Sequence, residues 1–144
     1  MKIFLDYDHN AILLAEQLIS LLSQSVHITC LDGRGLKPYP LIAKNMAETV
    51  IRFPGSKGIL ICGTGIGMSI VANKIPGIYA HCCRTVNECA VFCRYNKGNI
   101  LCLGEQFTPV NVAKDLVDVF LSTKFCKEKE SRIEMIERLF DYHL

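Results

Sequence analysis

Cys62 is the residue in this sequence best placed to do chemistry. It ends the apolar run Gly58-Ile59-Leu60-Ile61 and is followed at once by Gly63-Thr64-Gly65-Ile66-Gly67. Glycines at alternate positions let a backbone approach a ligand closely and turn successive N–H groups into one concavity. A helix starting there adds the positive end of its dipole, which favours an anion or a developing oxyanion. A cysteine sulfur beside such a cradle serves as a nucleophile or as a general base. Base plus oxyanion cradle is enough to take a proton from the carbon next to a carbonyl and hold the resulting enediolate. The spacing is not that of the dinucleotide fingerprint, and no Walker lysine follows. For the glycines alone, a tight strand-to-helix turn is the structural alternative.

Five short apolar runs, over 2–5, 26–31, 58–62, 77–82 and 99–103, read as buried strands. Between them lie helical stripes: Ile12, Leu14, Leu18, Leu21 and Leu22, then Ile42, Met46, Val50 and Phe53. Further helices are expected after Gly65, after Thr85 and over about 109–121. A last amphipathic helix over about 127–142 carries Ile133, Ile136, Leu139 and Phe140. Strand and helix in alternation predict an α/β fold, a three-layer α/β/α sandwich around a five-stranded parallel sheet of Rossmann-like or flavodoxin-like order. Ligands in such sheets bind beyond the carboxyl ends of the strands. That directs attention to 6–10, 62–69 and 82–85, and to the loop 32–40, rich in turn residues, as a wall.

The chain has 144 residues, half of them hydrophobic, 21% charged, with a net charge of +2. That suits one domain spanning 1–144 and gives no electrostatic case for nucleic acid or an anionic membrane. No apolar stretch approaches bilayer length, and Asp6 and Asp8 interrupt the first apolar run, so a cytoplasmic protein without a secretory signal is expected. Eight cysteines raise the question of metal or disulfides. Cys82, Cys83, Cys89, Cys93 and Cys102 form no C-x-x-C pair, and His81 lacks a spaced second histidine. They read as small buried hydrophobes, with no metal. His27 and His143 carry no motif, and His81 ends the fourth strand without a role.

The run from Leu60 to Ser69, followed by Ala72-Asn73-Lys74, closely resembles the signature of the ribose-5-phosphate isomerase B family and of the related galactose-6-phosphate isomerase subunits. Asp8-His9, Tyr39-Pro40, and Asn96 with Asn99 fall in matching order. The resemblance implies an aldose–ketose isomerase of a sugar phosphate, interconverting ribose 5-phosphate and ribulose 5-phosphate through an enediolate. It implies no cofactor, since that route needs only a base and an oxyanion site. Cys62 is then the base moving a proton between C1 and C2, and Thr64 with the amides of Gly63, Gly65, Ile66 and Gly67 stabilises the enediolate. Asp8 and Tyr39 contact the sugar, and His9 lies near the phosphate. Asn96 reaches in from the neighbouring subunit of a homodimer, or of a tetramer of two dimers, and Arg132 matches a phosphate-binding arginine. On their own, His9 also reads as a helix cap, Tyr39 as a packed loop aromatic and Arg132 as a surface residue.

The sequence departs from the family pattern at four places. Tyr95 stands where the ring-opening histidine is usual, and Lys97 where an acid is usual; Gln106 and Glu128 take positions of arginines. A tyrosine hydroxyl donates a proton but is a poor base at neutral pH. The departures leave two alternatives open: a subunit of a heteromeric galactose-6-phosphate isomerase, and a non-catalytic sugar-phosphate-binding homologue.

Overall fold

A computed structural model describes residues 1–141; His143 and the end of the expected last helix lie outside them. Five strands, β1 (Ile3–Tyr7), β2 (Thr29–Cys30), β3 (Lys57–Cys62), β4 (Ala80–Cys82) and β5 (Ile100–Gly104), form one parallel sheet in the order β2-β1-β3-β5-β4. The α/β class is as the alternating pattern predicts. Relative to a flavodoxin order, the last two strands are exchanged, so β5 and not β4 lies beside β3.

The two-residue period of the strands decides which face each side chain meets. Ile3, Leu5, Tyr7, Ile59, Ile61, Leu101 and Leu103 share one core with α1 (Ile12–Leu22), α4 (Val86–Asn96) and α5 (Val110–Ser122). Phe4, Leu60, Cys62, Ile100 and Cys102 share the other core with α2 (Tyr39–Arg52) and α3 (Ile66–Ala72). Cys62 therefore points to the α2–α3 face because it stands an even number of residues from Leu60. Helices on both faces give the three layers.

Three expectations need correction. The second strand is confined to Thr29 and Cys30, because it pairs only with β1, at Phe4 and Leu5, while Val26 and Ile28 pack against the core from outside the ladder. Tyr39 and Pro40 are not in the loop but form the first turn of α2, where a proline's missing N–H leaves no helical bond unmade. The last helix begins with a 3-10 turn (Lys127–Lys129) before α6 (Glu130–Leu139). Of its expected stripe only Ile133 is buried; Ile136, Leu139 and Phe140 are exposed in the single chain. No described helix is long and apolar enough to cross a membrane.

The loop after β2 is held by Asp6, which is fully buried. Its carboxylate accepts the N–H groups of Tyr7 at 2.9 Å, Gly33 at 2.9 Å and Arg34 at 2.7 Å. A side chain at position 33 would meet that carboxylate at 2.5 Å, which is why a glycine sits there. Asp6→Ala leaves the buried Gly33 amide without a partner, and the expected loss of stability is about 3 kcal/mol, read by urea unfolding. A loss below about 0.5 kcal/mol would show that the loop is held by other contacts.

Candidate active site

The chain leaves β1 toward β2 and leaves β3 in the opposite direction, so a crevice opens between their carboxyl ends. Asp8 closes β1 there: its N–H donates to the Ile61 carbonyl at 3.1 Å, and its buried carboxylate accepts the Asn10 N–H at 2.9 Å. His9 and Asn10 are exposed at the rim. Gly35 brings the loop after β2 against them, since a Cβ there would lie 3.7 Å from the His9 Cα.

Across the crevice, the Cys62 Sγ accepts the Gly65 N–H at 3.0 Å. Cys62 is 5% exposed, and its sulfur lies beneath the glycine loop. Gly65 has φ +77°, a conformation that a side chain strains, and it caps α3. A Cβ on it would run into Cys82 Sγ at 2.6 Å and the Leu103 carbonyl carbon at 3.0 Å. The loop that leaves β3 is thus wedged against β4 and β5. Thr64 Oγ1 accepts the Ile66 N–H at 3.3 Å, while the amides of Gly67 and Met68 find no partner among the described residues. The Tyr39 ring lies over Gly67, where a Cβ would come within 2.7 Å of it. The segment after β5 is bolted to the same loop: Glu105 N–H donates to the Cys62 carbonyl at 2.9 Å and Gln106 N–H to the Gly63 carbonyl at 3.0 Å. The Gln106 side-chain nitrogen borders Gly63.

Asp8, Cys62, Gly63, Thr64, Gly65, Ile66, Gly67 and Tyr39 therefore gather at the carboxyl end of the sheet, with His9 at its edge. Tyr95, Asn96 and Arg132 do not join them within one chain. Helix α4 starts at the carboxyl end and returns to the amino end, so its last turn, with Tyr95 and Asn96, lies at the far edge of the sheet. Asn96 lines a small pocket there with His81, Glu88 and Ile136. Arg132 is exposed on α6. A groove of about 930 Å³, lined by Lys57, Tyr79, Lys97, Asn99 and Glu130 among others, also lies at the amino end.

His81 turns away from the sulfur, toward α4, where its Nε2 pairs with Glu88 Oε1 at 2.7 Å. Glu88 also accepts the Arg84 N–H, and Thr85 accepts the Glu88 N–H. Its carboxyl is held below the usual range first by that Arg84 amide and then by His81. This capping box, Thr85-x-x-Glu88, is a signal that sequence reasoning missed. It also missed Asn10 and Arg84, which enter the carboxyl end through loops without a spacing rule. Cys83, Cys89, Cys93 and Cys102 are buried, as expected of core cysteines; the contact with Cys83 helps push the Cys89 thiol up to about 12. No group of metal-ligating side chains assembles among the described residues.

A parallel α/β sheet whose third strand ends in a cysteine beneath a glycine loop is built to receive an anion or a developing oxyanion at its carboxyl end. The ribose/galactose isomerase family model matches residues 3–136. The chain is 33% identical over 105 residues to the galactose-6-phosphate isomerase subunit LacB of Clostridium acetobutylicum, covering 72% of this chain and 61% of that one. It is 31% identical over 134 residues to the 4-deoxy-4-sulfo-D-erythrose isomerase of a Clostridium species, covering 90% and 84%. The ribose-5-phosphate isomerase B structure from Clostridium thermocellum superposes with a TM-score of 0.88 at 32% identity, covering 96% of this chain and 97% of the other. The chain belongs to the ribose/galactose isomerase family and is a sugar phosphate isomerase.

Proposed function

We propose that the chain interconverts ribose 5-phosphate and ribulose 5-phosphate through an enediolate. Cys62 acts as the base, and Thr64 with the Gly63–Gly67 amides carries the oxyanion. The observation that supports this most is the Cys62 sulfur seated under the glycine loop with the Gly67 and Met68 amides left unpaired beside it. Asp8 and Tyr39 orient the sugar, and His9 faces the phosphate. The working form is a homodimer in the cytoplasm, where eight free thiols stay reduced. The second subunit brings Tyr95, as the proton donor for ring opening, with Asn96 and Arg132. The placement of these three far from Cys62 in their own chain favours supply from a partner, and so does the exposed apolar face of α6.

The experiment is subunit complementation. Cys62→Ala and Asn96→Ala chains, each inactive alone, are co-expressed and purified through two tags. A mixed dimer has one doubly damaged site and one intact site, so the doubly tagged material recovers about half of wild-type activity. No recovery would mean that the site is built within one chain. A second reading, a subunit of a heteromeric galactose-6-phosphate isomerase, draws on Gln106, a neutral amide at the rim of Gly63. It requires the pure chain to be silent and a paralogous chain to restore turnover.

A further inference from the structure

We propose that Arg84 binds the anionic end of the sugar phosphate, at a wall formed with Phe107 and Gln106 beside the glycine loop. The proposal rests on the isomerase reading for its ligand and adds a residue that this reading does not contain.

A phosphate dianion draws more than one cation, and beside the Arg132 that the second subunit brings, the chain that carries Cys62 offers its own at the carboxyl end of the sheet. The loops that follow the five strands there carry three lysine or arginine side chains among the described residues: Arg34, Lys37 and Arg84. Lys37 is already bound to Asp32 at 3.2 Å. The charge of Arg34 is felt at Tyr7 and Cys30, which belong to the α1–α4–α5 core. Arg84 is felt at Cys82: burial pushes that thiol up, and the Arg84 guanidinium pulls it the other way. Cys82 packs with the α2–α3 core, as Cys62 does, and its Sγ donates to the Thr64 carbonyl at 3.3 Å. Of the three cations, Arg84 is the one two residues from Cys82, which bonds to the glycine loop, and stacked on the segment that bonds to Cys62 and Gly63.

Its geometry suits an anion. The backbone of Arg84 is fixed, its N–H donating to Glu88 Oε2 at 3.0 Å. The guanidinium lies 4.4 Å from the centre of the half-exposed Phe107 ring. No carboxylate pairs with it among the described residues. Stacked on an aromatic face, a guanidinium keeps its edge N–H groups free to fork onto phosphate oxygens. Phe107 itself is carried by the segment whose Glu105 and Gln106 amides bond to Cys62 and Gly63. Arginine, ring and base are thus tied to one loop system.

Inorganic phosphate is the probe, titrated calorimetrically into the full-length protein at constant ionic strength, alongside KM and kcat for ribose 5-phosphate. Arg84→Ala is expected to weaken phosphate binding and raise KM by about tenfold or more. Arg84→Lys falls between, because it keeps the charge and loses the fork. Arg34→Ala binds phosphate as the wild type does. Equal unfolding midpoints exclude a structural cause. Unchanged phosphate affinity in Arg84→Ala, a loss that follows Arg34→Ala instead, or a wild type that binds no phosphate would each overturn the proposal. If ribose 5-phosphate is not turned over, the isomerase reading fails on its own, and the phosphate titration still decides the role of Arg84.

Discussion

Cys62→Ala is expected to lower kcat for sugar-phosphate isomerisation by about a thousandfold or more, the usual contribution of a positioned base. The Cys62 sulfur sits under the loop on the Gly65 N–H, whereas the other thiol against the loop, Cys82, keeps its proton on the Thr64 carbonyl and Thr64 itself offers only a hydroxyl. Alanine fits the space, because the site is 5% exposed and bounded by the α2–α3 core. The cost in stability is limited to the lost bond from the Gly65 N–H and a small void, about 1 to 2 kcal/mol. Fold and assembly survive while turnover does not. Cys62→Ser separates the two roles of the sulfur: a hydroxyl keeps an acceptor for Gly65 but is a far weaker base, so its kcat falls almost as far. Steady-state kinetics with unfolding curves on the same preparations decide this, and a Cys62→Ala kcat within about tenfold of wild type would remove the sulfur from the chemistry.

The second large effect belongs to Gly65. Gly65→Ala puts a methyl 2.6 Å from Cys82 Sγ and 3.0 Å from a backbone carbon of β5, in a residue held at φ +77°. The cysteine side chain has some freedom to turn aside; the β5 backbone has none. The left-handed conformation and the overlap together are expected to cost about 3 kcal/mol, read by urea unfolding. Activity drops at least about a hundredfold, because the amide that seats the sulfur moves with the loop. Combining Gly65→Ala with Cys82→Gly removes the sulfur overlap alone. The double variant is expected to recover about 1 kcal/mol and little activity, a coupling that marks the two residues as neighbours. A Gly65→Ala protein as stable and active as wild type would mean that the loop is not wedged as described.

Much of this was legible in the residues, and the gaps have physical causes. The apolar runs of β1, β3 and β5 are buried on both faces, so composition alone marks them. The edge strands β2 and β4 are two and three residues long, and an apolar run cannot say where pairing stops when only one neighbour is present. The glycine loop is legible because Gly65 is required by its backbone angle and Gly67 by the Tyr39 ring. Strand order is not local: nothing near Ala80 or Ile100 reveals that β5 inserts between β3 and β4. The distance of Tyr95 and Asn96 from Cys62 follows from that order and from the direction of α4, while Arg132 lies on α6, whose Glu130 and Ile133 line the groove at the amino end. The exposed Leu139 and Phe140 have the helical period of a buried stripe, and period cannot distinguish a face covered by the same chain from one left open. Arg84 over Phe107 joins residues from two loops, and no spacing announces such a pair.

One measurement bears most directly on enediolate chemistry at Cys62: proton NMR of ribose 5-phosphate with the wild-type protein in deuterium oxide. Removal of a carbon-bound proton by a side chain that exchanges with solvent places deuterium at C2 of the aldose and C1 of the ketose over repeated turnovers, and the Cys62→Ala protein should place none. Interconversion that continues through many turnovers without deuterium at either carbon would contradict it, as would incorporation at the wild-type rate in the absence of the sulfur.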